Sequence, residues 1–125
     1  MKISTLVIED NENNMYLTTF LLENSGHQVH QAYDGTDGVK MAKELLPDLI
    51  LLDIQLPKMN GYDVAKALRQ DPALATTPIV AITSYAMPGD REKALDSGCN
   101  GYIKKPINPD TFLAEIESYL TMVKD

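Results

Sequence analysis

One cysteine, Cys99, is all the thiol chemistry the 125 residues hold. A lone thiol excludes an internal disulfide and a cysteine-based metal cluster, and suits a reducing cytoplasm. The simplest role for Cys99 is a small, semi-buried hydrophobe near a turn. No apolar run approaches the roughly 20 residues that span a bilayer. The N-terminal stretch meets Glu9 and Asp10 before any small-residue cleavage site, so it reads as a first strand rather than a signal peptide. Basic runs long enough to track a phosphate backbone are missing too. With 18 acidic residues against 11 basic ones the net charge is −7, which argues against direct nucleic-acid binding. There is no internal repeat, low-complexity tract or linker, and the chain ends soon after its last amphipathic segment. The expectation is a single domain over residues 1–125, with no output domain attached.

What is there is an alternation. Five short apolar runs, at 5–8, 28–32, 49–52, 79–82 and 101–103, are separated by amphipathic segments. Near-continuous apolar runs suit parallel strands covered on both faces. The second run, with His30 and polar neighbours, suits an edge, and His27 and His30 read as surface residues. The first helix is expected after the cluster at 11–14, with Leu17, Thr18, Leu21 and Leu22 inward and Gly26 as its stop. The second runs from about Thr36, with Val39, Ala42, Leu45 and Leu46 inward and Pro47 ending it. The third follows Asn60-Gly61 and buries Val64, Ala65 and Leu68. The fourth, at 90–97, is the least apolar, with Ala94 and Leu95 inward and Gly98 as its stop. The fifth has Asn108 as N-cap and Pro109 in the first helical position, with Phe112, Leu113, Ile116 and Leu120 on one face. Strict β-α alternation implies an α/β fold, a five-stranded parallel sheet with five helices on both faces.

All strands of such a sheet end on the same side, where open α/β sheets bind ligands. The first strand ends in Glu9-Asp10, the third in Asp53, the fourth in Thr83-Ser84 and the fifth in Lys104-Lys105-Pro106. Asp53 alone would be read as a turn or capping residue; the company it keeps reverses that. Two carboxylates about 4 Å apart repel by roughly 4 kcal/mol at an effective dielectric near 20, so three must take up protons or recruit a cation. Oxygen ligands without nearby His or Cys point to Mg²⁺ first, with Mn²⁺ or Ca²⁺ as other hard ions. Lys105 offers a mobile positive charge and Thr83 a hydroxyl, both suited to phosphoryl oxygens. Asp53, on the most apolar strand, is then the candidate nucleophile, forming an acyl phosphate.

Glu9-Asp10, Asp53 with Leu56-Pro57 and Asn60-Gly61, Thr83, Tyr102 and Lys105-Pro106 together resemble the receiver domain of two-component response regulators along the whole chain. The resemblance implies a flavodoxin-like receiver fold with strand order 2-1-3-4-5. It implies that Glu9, Asp10, Asp53 and the Gln55 backbone carbonyl hold Mg²⁺, and that Asp53 accepts phosphate from a histidine kinase or histidine phosphotransfer protein. Thr83 and Lys105 would bind the phosphoryl group, the bond to Pro106 would be cis, and Thr83 and Tyr102 would switch on activation. The Asp-Asn-Glu-Asn-Asn start and the Lys-Pro-Ile ending look most like stand-alone receivers of the DivK kind or receivers of hybrid kinases. Ser84 stands where the family usually has Ala, and Gln55 and Tyr85 occupy positions that tune dephosphorylation in the family.

The expected function is therefore a cytoplasmic phosphorylation-controlled switch that meets a downstream protein through its fourth helix and fifth strand. It would catalyse only its own phosphorylation and dephosphorylation, with no direct contact to nucleic acid or membrane. A constitutive interaction module with the same fold and no phosphate cycle is the alternative. A flavodoxin-like cofactor binder is disfavoured, because the acidic loop after the first strand would repel phosphate. Met87-Pro88-Gly89 and the poor apolar pattern of the fourth helix suggest a segment of low local stability, from which switching elements are drawn.

Overall fold

The β-branched and leucine runs pair as the alternation requires. The computed structural model describes residues 3–84 and 89–124, with side chains as far as Leu120. Tyr85 and the Met87-Pro88 pair lie outside the described residues. Strands β1 (Ile3–Ile8), β2 (His27–Ala32), β3 (Leu49–Asp53), β4 (Ile79–Thr83) and β5 (Gly101–Lys104) form one sheet in the order β2-β1-β3-β4-β5. Every pairing is parallel. β3 is central and all five of its residues are buried, which suits a strand of four aliphatic side chains ending in Asp53.

Two apolar layers sandwich the sheet. Leu6, Ile8, Ile50, Leu52 and Ala81 face one cluster with Ala42, Val64, Ala65, Leu68 and Ala94, from α2 (Gly35–Leu45), α3 (Gly61–Arg69) and α4 (Asp90–Asp96). Val7, Leu49, Leu51, Val80 and Ile82 face the other, with Met15 and Leu22 of α1 (Glu12–Asn24) and Phe112, Ile116 and Leu120 of α5 (Phe112–Lys124). The period-2 alternation of each central strand thus feeds both layers. No helix among the described residues is long and apolar enough to cross a membrane.

Several expectations are corrected. α1 begins at Glu12 because Asn11 Oδ1 accepts the Asn14 N–H at 3.0 Å, and this earlier start adds Met15 to the expected Thr18 and Leu22 on the buried face, while Leu17 is only half-buried. In α2 the buried face carries Gly35, Gly38 and Ala42, while Leu45 and Leu46 are exposed; Leu46 is a left-handed C-cap. Leu95 of α4 is exposed. α5 starts at Phe112, because Asn108 caps a turn instead: its Oδ1 accepts the Asp110 N–H and its carbonyl the Phe112 N–H, both at 2.9 Å. His27 is buried rather than superficial, with Nδ1 2.8 Å from Thr5 Oγ1, and burial lowers its pKa. Cys99 is buried, and burial raises its thiol to about 11.

Arg69 was not singled out by the sequence. It donates to the carbonyls of Gly98 and Leu74 and to Asn100 Oδ1, at 2.7 to 2.8 Å. Asn100 Oδ1 also accepts the Ile79 N–H at 2.9 Å. One guanidinium therefore ties the end of α3 to the turn before β5 and the start of β4. No local pattern signals such a long-range role.

Candidate functional site

Parallel strands bring their C-terminal residues to one rim, and the site is built there. β3 delivers Asp53, 3% exposed, beside the end of β1, where Glu9 is 4% exposed and Asp10 is open to solvent. Carboxylate oxygens of Glu9, Asp10 and Asp53 all lie within 4.8 Å of one another. From the end of β5, Lys105 Nζ reaches Asp53 Oδ2 at 3.2 Å and Glu9 Oε1 at 3.1 Å. The Lys105 backbone is itself anchored, its N–H donating to Thr83 O at 2.7 Å, and the Lys105–Pro106 peptide is cis. Asp53 Oδ1 accepts the Gln55 N–H at 2.9 Å, so each carboxylate oxygen of Asp53 has its own donor.

These residues line a cavity of about 470 Å³ together with Asn11, Asn14, Gln55, Ser84 and Pro106. Its electrostatics are those of crowded anions. Burial first, then the adjacent Asp53 carboxylate, pushes Glu9 up to about 7, against the opposing pull of the Asn11 N–H and Lys105. Burial would lower the Lys105 ammonium, but the carboxylates of Asp53 and Glu9 outweigh it and hold its pKa above the ordinary value. Three carboxylates against one ammonium leave a net charge of −2 when all are ionised, the charge one divalent ion neutralises. An all-oxygen donor set, partly open to solvent, fits Mg²⁺, which keeps several waters and takes one or two carboxylates. Glu9, Asp10 and Asp53 fit such an ion, and Gln55 lines the same cavity.

Thr83 is fully buried at the end of β4 and is not among the lining residues of this cavity. Tyr102 lies on β5, half-buried against the cluster under α2, α3 and α4. Its backbone N–H donates to Tyr119 Oη at 3.4 Å, and Tyr119 Oη donates back to its carbonyl at 3.5 Å. The structure thus gathers Glu9, Asp10, Asp53, Gln55, Lys105 and Pro106, and brings neither Thr83 nor Tyr102 onto the cavity wall. Ser84, noted in the sequence only as a departure, lies on the cavity wall with its N–H and Oγ both donating to Gln55 Oε1.

Comparison with known proteins gives a consistent result. The family profile described as response regulator receiver domain matches residues 5–117. The polar-differentiation response regulator DivK of Brucella anthropi is 43% identical over 120 residues, covering 96% of this chain and 98% of that one. Among solved structures, the receiver domain of a sensor histidine kinase from Pseudomonas aeruginosa, with magnesium ion coordinated in the active site cleft, superposes with a TM-score of 0.89. It is 30% identical and the match covers 97% of this chain and 99% of that one. A chemotaxis response regulator of Vibrio cholerae gives a TM-score of 0.91 at 26% identity, covering 95% and 99%.

Proposed function

Because the chain belongs to the response regulator receiver domain family, we propose that it is a phosphorylation-controlled signalling switch with Asp53 as its phosphoacceptor. The carrying observation is the convergence on Asp53 of two further carboxylates and of the Lys105 ammonium, at the ends of three parallel strands. An Asp53 oxygen attacks phosphorus in a phosphohistidine of a histidine kinase or phosphotransfer protein. The new O–P bond forms as the P–N bond breaks, and the imidazole leaves as the donor's neutral side chain after taking up a proton. Water later attacks the acyl phosphate, releasing inorganic phosphate and restoring the carboxylate.

This chain's residues act mainly by holding charge in place. The Gln55 N–H fixes one Asp53 oxygen and Lys105 the other, so the carboxylate is oriented before the donor arrives. Lys105 then has an anionic phosphoryl oxygen to pair with, and the Thr83 hydroxyl is the second donor in this reading. Glu9, Asp10, Asp53 and the Gln55 carbonyl would hold Mg²⁺, or Mn²⁺ in its place. When bound, that ion supplies neutralisation of phosphoryl and carboxylate charge. Thr83 moving toward the phosphoryl group, with Tyr102 following, would alter the α4 and β5 surface and shift the population of the form a downstream protein binds.

Incubation with phosphoramidate and Mg²⁺, read by intact mass, is expected to add one phosphoryl group to the wild type and none to Asp53→Ala. Loss of the gain with EDTA is expected as well. An unmodified wild type, under conditions where a control receiver reacts, refutes the proposal and favours a constitutive interaction module.

A further inference from the structure

Gln55 lines two cavities. On one side is the 470 Å³ pocket holding Glu9, Asp10, Asp53 and Lys105. On the other is a cleft of about 350 Å³ lined by Ile54, Leu56, Asn60, Tyr62 and Lys93, between the loop after β3, α3 and α4. The Gln55 side chain is hydrogen-bonded to Ser84, which lines the first of them. Oε1 accepts the Ser84 N–H at 2.9 Å and also the Ser84 hydroxyl, so the carboxamide joins the loop after β3 to the first residue after β4.

That bond takes up the two donors Ser84 could turn toward the site. A phosphoryl group on Asp53 would bring strong anionic acceptors into a cavity that Ser84 lines, and charged acceptors outcompete a neutral amide oxygen for the same N–H and O–H. The displaced carboxamide has somewhere to go. The adjoining cleft has room for it and is bordered by the Lys93 ammonium, which lies 4.6 Å from the centroid of the Tyr62 ring. An amide oxygen there would meet a cation on α4. Since α4 contributes Lys93 to the cleft, the same movement carries a change at Asp53 to that helix.

We propose that Gln55 is a two-position latch: its carboxamide holds Ser84 in the resting protein and, when Asp53 is phosphorylated, releases it for the cleft lined by Tyr62 and Lys93. The release rests on Asp53 being the phosphoacceptor. Gln55 is a positioning residue, acting through Ser84 and Lys93 rather than on phosphorus.

Two measurements test it. Hydrogen exchange of the Ser84 amide, followed by NMR without phosphodonor, is expected to quicken at least tenfold in Gln55→Met, which keeps length and removes the acceptor. Gln55→Asn serves as a second variant if Gln55→Met fails to fold. Unchanged Ser84 exchange overturns the latch and leaves phosphoryl acceptance by Asp53 untouched. In the wild type with Mg²⁺ and phosphoramidate, the Gln55 side-chain amide protons are expected to lose their nuclear Overhauser contacts to Ser84 and gain contacts to the Tyr62 ring. In Lys93→Met the new contacts are expected to weaken. Retained Ser84 contacts in protein that intact mass shows to be phosphorylated overturn the release. Absence of any mass gain overturns the phosphoacceptor reading and the release with it, while the resting latch stands or falls on the exchange measurement alone.

Discussion

Glu9 carries an energetic cost that its neighbours only partly offset. Its carboxyl is raised from 4.5 to about 7 by burial and by Asp53, so the folded protein binds a proton there that the unfolded chain releases. That contribution to stability is fully present below pH 4.5 and is lost as pH rises through about 7. Glu9→Gln removes the ionised form altogether. Without metal, the variant is expected to be more stable than wild type by on the order of 1–3 kcal/mol at pH 8, with the gain nearly absent at pH 5. Urea unfolding at the two pH values measures this; equal gains at both would show that Glu9 is not the titrating group. The pairing of Glu9 with Asp10 and Asp53 was legible in the sequence, since strand-end position alone predicts it. The His27 environment was not. Its bond to Thr5 Oγ1 is a cross-strand contact, and its neighbours in sequence are polar.

At the scale of elements, the strands were read well because aliphatic runs leave few alternatives, and helix faces were read less well for two reasons. A helix's buried stripe reaches as far as the helix does, and α1 starts at Glu12 through a cap by Asn11, which extends the stripe of Thr18 and Leu22 back to Met15. In α2 the inward positions are partly glycine, which carries no hydrophobic signal, because the backbone itself approaches Ile8 of β1. Close approach is also the reason for Gly61. A Cβ there would lie 2.5 Å from Ile54 Cα and 2.7 Å from Asp53 O, both backbone atoms unable to yield as a side chain can. Gly61→Ala is expected to destabilise by about 3 kcal/mol and to slow phosphorylation, because the strain falls on the segment bearing Asp53. A chemical denaturation midpoint equal to wild type would refute the close packing. α4 is the opposite case. It has seven residues, a Gly89 N-cap without a side-chain bond, and Ala94 as its buried residue. Its amides at Ala94 and Leu95 are expected to exchange at least a hundredfold faster than those of Leu51 and Leu52 in β3. Comparable protection would remove α4 as the weak element of the fold.

Across the whole molecule, the two apolar layers hold β3 in place while Lys105 compensates only part of the charge gathered at its end, so a ligand that supplies positive charge stabilises the fold as well as the site. The net charge of −7 means that any salt relieves some general repulsion, and the specific effect must be separated from that background. Mg²⁺ at about 100 times its dissociation constant adds roughly 3 kcal/mol to a protein that binds it only when folded. For a chain of this size that corresponds to a rise in Tm on the order of 10 °C. The rise is expected at pH 8 and not with NaCl matched for ionic strength. At pH 5 Glu9 holds its proton in the folded state, which must leave before the carboxylate can serve as a ligand, so the Mg²⁺-dependent rise is expected to shrink. Asp53→Ala is expected to blunt it at both pH values, because one of the three carboxylates is gone. A rise that NaCl reproduces, or that persists undiminished in Asp53→Ala, would place the ion elsewhere on the acidic surface and leave the strand-end cluster without its cation.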